Sequence, residues 1–204
     1  MLKLYWSPNT ISAAVALTLN EGGVHWEGIK LDFQSAEQTR PDYLKVNPKG
    51  RVPALVTPGG TLTETGAILD YLAATAVAGM MPVDPLHAAR VREVMYYLAS
   101  TVHVNHAHMK RGARWADREE SWADMQAKVP ETMTASAAYL EEQVEGPFLF
   151  GEELTIADAY LFVVSTWFEA DKADISACTK LRAFMEAMEA RPSVKSLRQA
   201  GILV

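Results

Sequence analysis

The chain changes character near Gly79, and that change limits its architecture more than any other feature of the sequence. Before Gly79 the apolar runs are short and broken by Pro and Gly; after it no strand pattern recurs and long helical periodicities take over. The first part reads as a strand from Leu2 to Trp6 and a helix from Ile11 to Glu21, closed by Gly22-Gly23. A strand from Val24 to Leu31 and a short helix from Ala36 to Val46 follow. Two strands, Ala54 to Thr57 and Thr61 to Thr63, lie across Pro58-Gly59-Gly60. A helix from Glu64 to Ala78 sets Ile68, Leu69, Leu72 and Ala76 on one face. The order βαβ-α-ββα implies a parallel pair with a right-handed crossover and an antiparallel hairpin. The second part predicts about five helices: His87 to Arg114, Asp117 to Glu145 with Pro130 as a candidate break, Thr155 to Glu169, Cys178 to Ala190, and Val194 to Gln199. The reading is an α/β domain over 1–78, a linker over 79–86 and an all-α domain over 87–204.

Composition removes several function classes. The 204 residues carry 19 basic and 25 acidic side chains, a formal charge of -6, so no basic surplus speaks for nucleic acid or an anionic membrane. No apolar run approaches the roughly 20 residues of a membrane span, and Met1 to Trp6 is too short for a signal-peptide core. One cysteine, Cys178, excludes a disulfide framework and any Cys-x-x-Cys site and fits a reducing compartment. A cytoplasmic protein is expected.

Three stretches carry candidate chemistry. In Asn47-Pro-Lys-Gly-Arg-Val-Pro-Ala-Leu55 a proline opens a strand, where its missing donor does no harm. A cis Val52–Pro53 bond would turn the Val52 N–H and C=O outward to pair with an extended peptide. Only about 5–6% of X-Pro bonds are cis, so on physics alone an ordinary loop proline is the commoner outcome. In Thr63-Glu-Thr-Gly-Ala-Ile68, free N–H groups at a helix start could hold a carboxylate with Thr65 while Glu64 meets an ammonium; plain capping explains the same residues. Ser7-Pro-Asn-Thr-Ile-Ser12 joins a strand's carboxyl end to a helix, where ligands of α/β sheets gather. Its donors could stabilise a thiolate or oxyanion, or simply cap the helix.

Together these stretches resemble the thioredoxin-like half of the cytosolic glutathione transferases, and the all-α remainder resembles their second domain. Leu62 to Leu72 carries the likeness further, and Leu154-Thr-Ile-Ala-Asp-Ala-Tyr160 is similar to the family's buried capping box, with Thr155 and Asp158 as its pair. The bacterial beta class is the nearest likeness, through Leu4 to Pro8, Asp158 to Phe162 and Tyr97 to His103. Where that class places a cysteine this chain has Ile11, and Val104 replaces the lysine after the histidine.

The resemblance implies a glutathione transferase activating the glutathione thiolate for attack on small electrophiles, as in detoxification. The alternatives are a glutathione-dependent reductase, peroxidase, isomerase or lyase, or a non-catalytic binding protein on the same fold. It favours a cis Pro53 and implies a homodimer, with Tyr96, Tyr97 and Met95 near the contact. Glutathione enters as co-substrate and no metal is implied. The implied thiolate donors are Asn9, Thr10 and Ser12 with Ser7 behind them. Val52 and Pro53 would meet the cysteinyl part, Glu64 and Thr65 the γ-glutamyl head, and Arg51 and Lys49 the glycine carboxylate. His103, His106 and Trp167 would line an acceptor pocket between the halves. Lys110, Arg114 and Arg118 recur every four residues, a solvated stripe that would attract anions if it lay near that pocket.

Overall fold

Strand β1 (Leu2–Trp6) alternates with the pleat: Leu4 and Trp6 are buried, while Lys3 reaches Glu27 in an exposed ion pair. β1 pairs in parallel with β2 (Trp26–Lys30) and antiparallel with β3 (Ala54–Thr57), which pairs antiparallel with β4 (Gly60–Thr63). The sheet order is β2-β1-β3-β4. Helix α1 (Ser12–Glu21) is the crossover between the parallel strands. Every side chain from Ser12 to Leu19 is buried, and the alanines let α3 (Thr65–Thr75) and α9 (Pro192–Gln199) pack closely against it. The structure, a computed structural model, describes residues 1–204.

The expected helix from Ala36 to Val46 is instead a 3₁₀ turn, Glu37–Thr39, followed by the four-residue α2 (Pro41–Leu44). Pro41 is the cause: it holds Arg40 in extended backbone and supplies no N–H to continue the preceding turn.

The remaining helices are α4 (Pro85–Tyr97), α5 (His103–His108), α6 (Glu119–Gln143), α7 (Ile156–Ser165) and α8 (Thr179–Glu189). A π-helical turn, Leu98–Val102, joins α4 to α5, with the His103 N–H bonded to Leu98 O five residues back. Pro130 does not break α6. The buried stripe Val129, Met133, Ala137 and Leu140 holds the helix across the missing donor, whose cost is about 3 kcal/mol. The basic stripe is not helical: α5 ends at His108, and Gly112, in a 3₁₀ turn, sits against Trp122 where a Cβ would meet its Cβ at 2.9 Å. Lys110, Arg114 and Arg118 therefore do not share one helix face.

Two compact units divide the chain, 1–88 with 189–204, and 89–188. By packing, the last residues lie with the first compact unit, whereas the expected 87–204 domain groups them with the other helices. The reason is local. Arg191 makes a bidentate pair with Glu21 at 2.6 Å, Ser193 donates to the same carboxylate, and Val194, Leu197 and Ile202 are buried. Burial alone would raise the Glu21 pKa, but these bonds hold the carboxyl below its usual range. In the second unit Thr155 and Asp158 form a reciprocal capping box at the start of α7. Asp158 also accepts the Leu149 N–H at 2.7 Å, yet burial dominates and pushes its pKa up to about 6.

Candidate functional site

In the first unit the candidate residues gather at two helix starts and the turn before β3. α1 opens at Ile11 without a side-chain cap. The N–H groups of Thr10, Ile11 and Ser12 make no bond within the chain, whereas those of Ala13 and Ala14 close the first turn on Thr10 O and Ile11 O. Three successive donors thus stand open at a positive helix end.

The hydroxyls beside them form a chain. Thr10 Oγ1 lies 2.6 Å from Ser12 Oγ and donates to Ser7 O at 2.8 Å. Ser12 is fully buried, and Ser7 is buried with its hydroxyl donating to Leu31 O at 3.0 Å. Thr10 is the one hydroxyl of the three with solvent access. Asn9 is different in kind. It lies at φ 52°, gives its N–H to Ile202 O at 3.1 Å, and accepts the Val204 N–H on Oδ1 at 2.9 Å. Ile11 is buried, as is Cys178 just before α8, whose thiol pKa is raised by burial and by the Glu141 and Asp174 carboxylates.

The turn before β3 is built by Asn47. Its buried side chain accepts the Lys49 N–H at 3.1 Å and donates to Arg51 O at 2.6 Å, and its carbonyl accepts the Gly50 N–H. Gly50 takes φ 61° with Gln38 O beside it, 3.0 Å from where a Cβ would stand, so a side chain would be both strained and crowded. Tyr43 donates to Arg51 O at 2.6 Å, and burial pushes its hydroxyl pKa up to about 12. Tyr43 packs with Leu31 and Val52, and Tyr5 joins that cluster with its ring 5.4 Å from Tyr43. The Val52–Pro53 bond is cis, and the Val52 N–H and C=O make no hydrogen bond within the chain. The Arg51 side chain is exposed.

Glu64 stands before α3 at φ 69°, ψ 119°, a conformation that costs a non-glycine residue of order 1–3 kcal/mol. No side chain caps α3: Thr63 accepts from Lys49 Nζ at 2.7 Å instead, and Thr65 is buried. Lys49 also pairs with the exposed Glu64 carboxylate. The capping alternative for these residues is therefore absent, and the helix end is open to an anion.

The second unit brings together His103, His106 and Trp167. His106 stacks on Trp167 at 4.2 Å and 22°, and His103 meets the same indole edge-on at 5.1 Å. Asp171, which sequence reasoning missed, accepts from His106 Nδ1 at 2.7 Å. No signal marked it: Glu169, Asp171 and Asp174 read alike as polar residues after an apolar helix. No group of three His, Cys, Asp or Glu side chains is placed to hold a metal ion, and no helix is long and apolar enough to cross a membrane.

Comparison with known proteins agrees with this geometry. Residues 1–74 match the family model for the glutathione S-transferase N-terminal domain, and residues 106–200 that for a glutathione S-transferase C-terminal domain. The chain is 51% identical to a glutathione transferase homologue from Sulfitobacter solved with bound glutathione, over 100% of this chain and 99% of that one, with a TM-score of 0.97. It is similar to the glutathione S-transferase GstA of Escherichia coli O157:H7, 31% identical over 98% of each. It also resembles the beta class enzyme of Sphingomonas chungbukensis, 31% identical over 99% of this chain and 100% of that one, with a TM-score of 0.83.

Proposed function

The chain belongs to the glutathione S-transferase family, and we propose that Thr10 and the open N–H groups of residues 10–12 hold glutathione as a thiolate. That donor set at the start of α1 is the observation that carries the reading. A thiol with a pKa near 8.5 is only a few per cent ionised at pH 7, and lowering it by two units needs about 2.7 kcal/mol of preferential thiolate binding. One hydrogen bond to a charged acceptor contributes about 1.5–3 kcal/mol, so Thr10 with one or two N–H groups suffices.

Each hydroxyl has a separate part. Thr10 turns its proton from Ser7 O to the sulfur. Ser12, out of solvent, donates to Thr10 Oγ1 and polarises it. Ser7 holds the loop to Leu31, and Asn9 holds it to the chain's last residues. No protein cysteine takes part.

The rest of glutathione has matching groups in the same unit. The unpaired N–H and C=O of Val52, beside Pro53, suit the cysteinyl backbone. Thr65 and the open start of α3 suit the γ-glutamyl carboxylate, and Glu64 suits its ammonium, in competition with Lys49. Arg51, with Lys49 beside it, suits the glycine carboxylate. The electrophile meets His103, His106 and Trp167. The protein acts in the cytoplasm, in detoxification, as a homodimer; Tyr96, exposed on α4, and its neighbour Tyr97 supply a face for the second copy, while Met95 is buried in the core.

The test is calorimetric titration of the native protein with glutathione, followed by conjugation kinetics on aryl halides, epoxides and hydroperoxides. Micromolar to sub-millimolar binding with turnover on the first two is expected; no heat at millimolar glutathione would end the reading. Sedimentation at micromolar concentration should give twice the chain mass, and a monomer would refute the dimer.

A further inference from the structure

The His106–Asp171 pair is not explained by the fold. Asp171 is 1% exposed and pairs with no lysine or arginine. One carboxylate oxygen takes the bond to His106 Nδ1, and the other, Oδ1, is buried with no partner at all. Burying a carboxylate this poorly satisfied costs free energy that an apolar residue would not. A structural role would be met more cheaply by an aliphatic side chain.

The surroundings give the pair a direction. The His106 side chain is 28% exposed, so the pair runs from the interior toward solvent. Its ring is held on two sides, by the carboxylate at one edge and by the Trp167 indole on one face. A carboxylate only accepts, so the neutral imidazole that bonds it carries its proton on Nδ1. Nε2, on the opposite edge, makes no bond in the chain, and in that neutral tautomer it keeps its lone pair. His103 lies with its ring 6.5 Å away, against the same indole. The result is a fixed hydrogen-bond acceptor beside two aromatic surfaces.

We propose that Asp171 is a positioning residue that fixes His106 as an acceptor for a hydroxyl on a planar aromatic electrophile, so that the enzyme selects phenolic acceptors over their O-alkylated counterparts. This rests on the reading that His103, His106 and Trp167 receive the electrophile. His106 Nε2 accepts from the substrate hydroxyl, and the ring of the substrate lies along the indole and imidazole edges. No proton is transferred by the pair. A site that hydrogen-bonds a substrate hydroxyl rejects the analogue lacking it, because the acceptor, covered by the bound ring, is then left unpaired.

The experiment uses two α,β-unsaturated aryl ketones, one with a ring hydroxyl and one with a methoxy group in its place. In both the thiolate sulfur bonds the β-carbon, the π pair moves toward the carbonyl, and the α-carbon takes a proton from solvent. Each kcat/KM is divided by the uncatalysed rate of the same ketone with glutathione. The wild-type enzyme should favour the hydroxylated ketone by about tenfold, the equivalent of one hydrogen bond of about 1.4 kcal/mol. Asp171→Asn, whose amide can donate to Nδ1 and so reverse the tautomer, should bring that ratio to about one, as should His106→Phe. Imidazole ¹⁵N spectra supply a readout without turnover. Wild-type His106 should show its proton on Nδ1 and an Nε2 shift when phenol, but not anisole, is added; Asp171→Asn should lose both. A ratio near one in the wild type, a ratio unchanged by Asp171→Asn and His106→Phe, or an Nε2–H tautomer overturns the proposal. Absence of conjugation with either ketone while aryl halides still turn over overturns the selectivity, whereas absence of all conjugation with the phenol response intact removes only the transferase reading.

Discussion

Asn9 and Val204, 195 positions apart in sequence, are joined by a 2.9 Å hydrogen bond from the Val204 N–H to Asn9 Oδ1. With the bond from Asn9 N–H to Ile202 O, the last residues brace the loop that carries Thr10 and Ser12. Asn9 also occupies φ 52°, which asparagine tolerates better than most residues. Asn9→Gly keeps that conformation and loses the side-chain bond, whereas Asn9→Ala loses both. Urea denaturation should show Asn9→Ala less stable than Asn9→Gly by about 1 kcal/mol, with turnover reduced several-fold in each. Equal stability of the two variants would mean the backbone conformation carries no strain.

Thr10→Val preserves shape and removes the solvent-accessible hydroxyl. Turnover should fall about 10–100-fold, and the ultraviolet absorbance of bound thiolate, titrated against pH, should move to a higher apparent pKa. Ser12→Ala should show a smaller shift in the same direction, since it acts through Thr10. Cys178→Ala should keep turnover within about twofold. If Thr10→Val keeps the parent's titration midpoint, the thiolate donor has been misassigned.

Glu64 sets function against stability at a single position. Glu64→Gly relieves the strain at φ 69° and should raise the unfolding free energy of the unliganded protein by about 1 kcal/mol. On the proposed head-group role the same change also removes the partner of the ligand ammonium, so glutathione affinity should drop by a few kcal/mol in calorimetry. Lys49→Ala should change binding far less, because it only frees Glu64 from an exposed pair that contributes about 0–1 kcal/mol. A Glu64→Gly protein that binds glutathione like the parent would exclude the head-group role.

Asp158 gives a pH signature. Its pKa is raised from the ordinary 3.8 to about 6 by burial, so the folded state holds its proton more tightly than the unfolded chain does. The stability this supplies is fully present below about pH 4 and is lost as pH rises through about 6. Asp158→Asn should destabilise the protein by about 1–3 kcal/mol, because its amide nitrogen faces a backbone N–H. The gap between the two unfolding free energies should narrow between pH 4 and pH 7. A gap that widens instead would show that the bonds from Leu149 and Thr155 outweigh burial.

What the sequence showed and what it hid divide along physical lines. The strands, α1, α3 and the Thr155–Asp158 box were legible because each writes a period or a cap into adjacent residues. The two helix starts and the turn at Asn47 to Pro53 were legible for the same reason. Long-range partners were not. Nothing near Asn9 announces Ile202 and Val204, and nothing near Glu21 announces Arg191, so the packing of the last helix against the first unit was not legible. Asp171 meets His106 across 65 positions, and a buried carboxylate looks in sequence like any other loop aspartate. Pro41 and Pro130 show the limit of local rules: one starts a new short helix and the other rides inside a long one, because only the second has a buried stripe, Val129 to Leu140, running on past it.

If His103 and His106 receive the electrophile as proposed, the π-helical turn at Leu98–Val102 makes chain length itself a determinant of chemistry. It inserts one residue into the helical winding, which turns everything after it by about 100° relative to an uninterrupted α-helix. Deleting a single residue from this turn would leave His103 and His106 in the chain, with the same neighbours in sequence, but aim them away from Trp167 and Asp171. A relative lacking that residue would carry the same histidines without the same constellation, so a count of residues between Tyr97 and His103 is a better guide to shared specificity than the histidines alone.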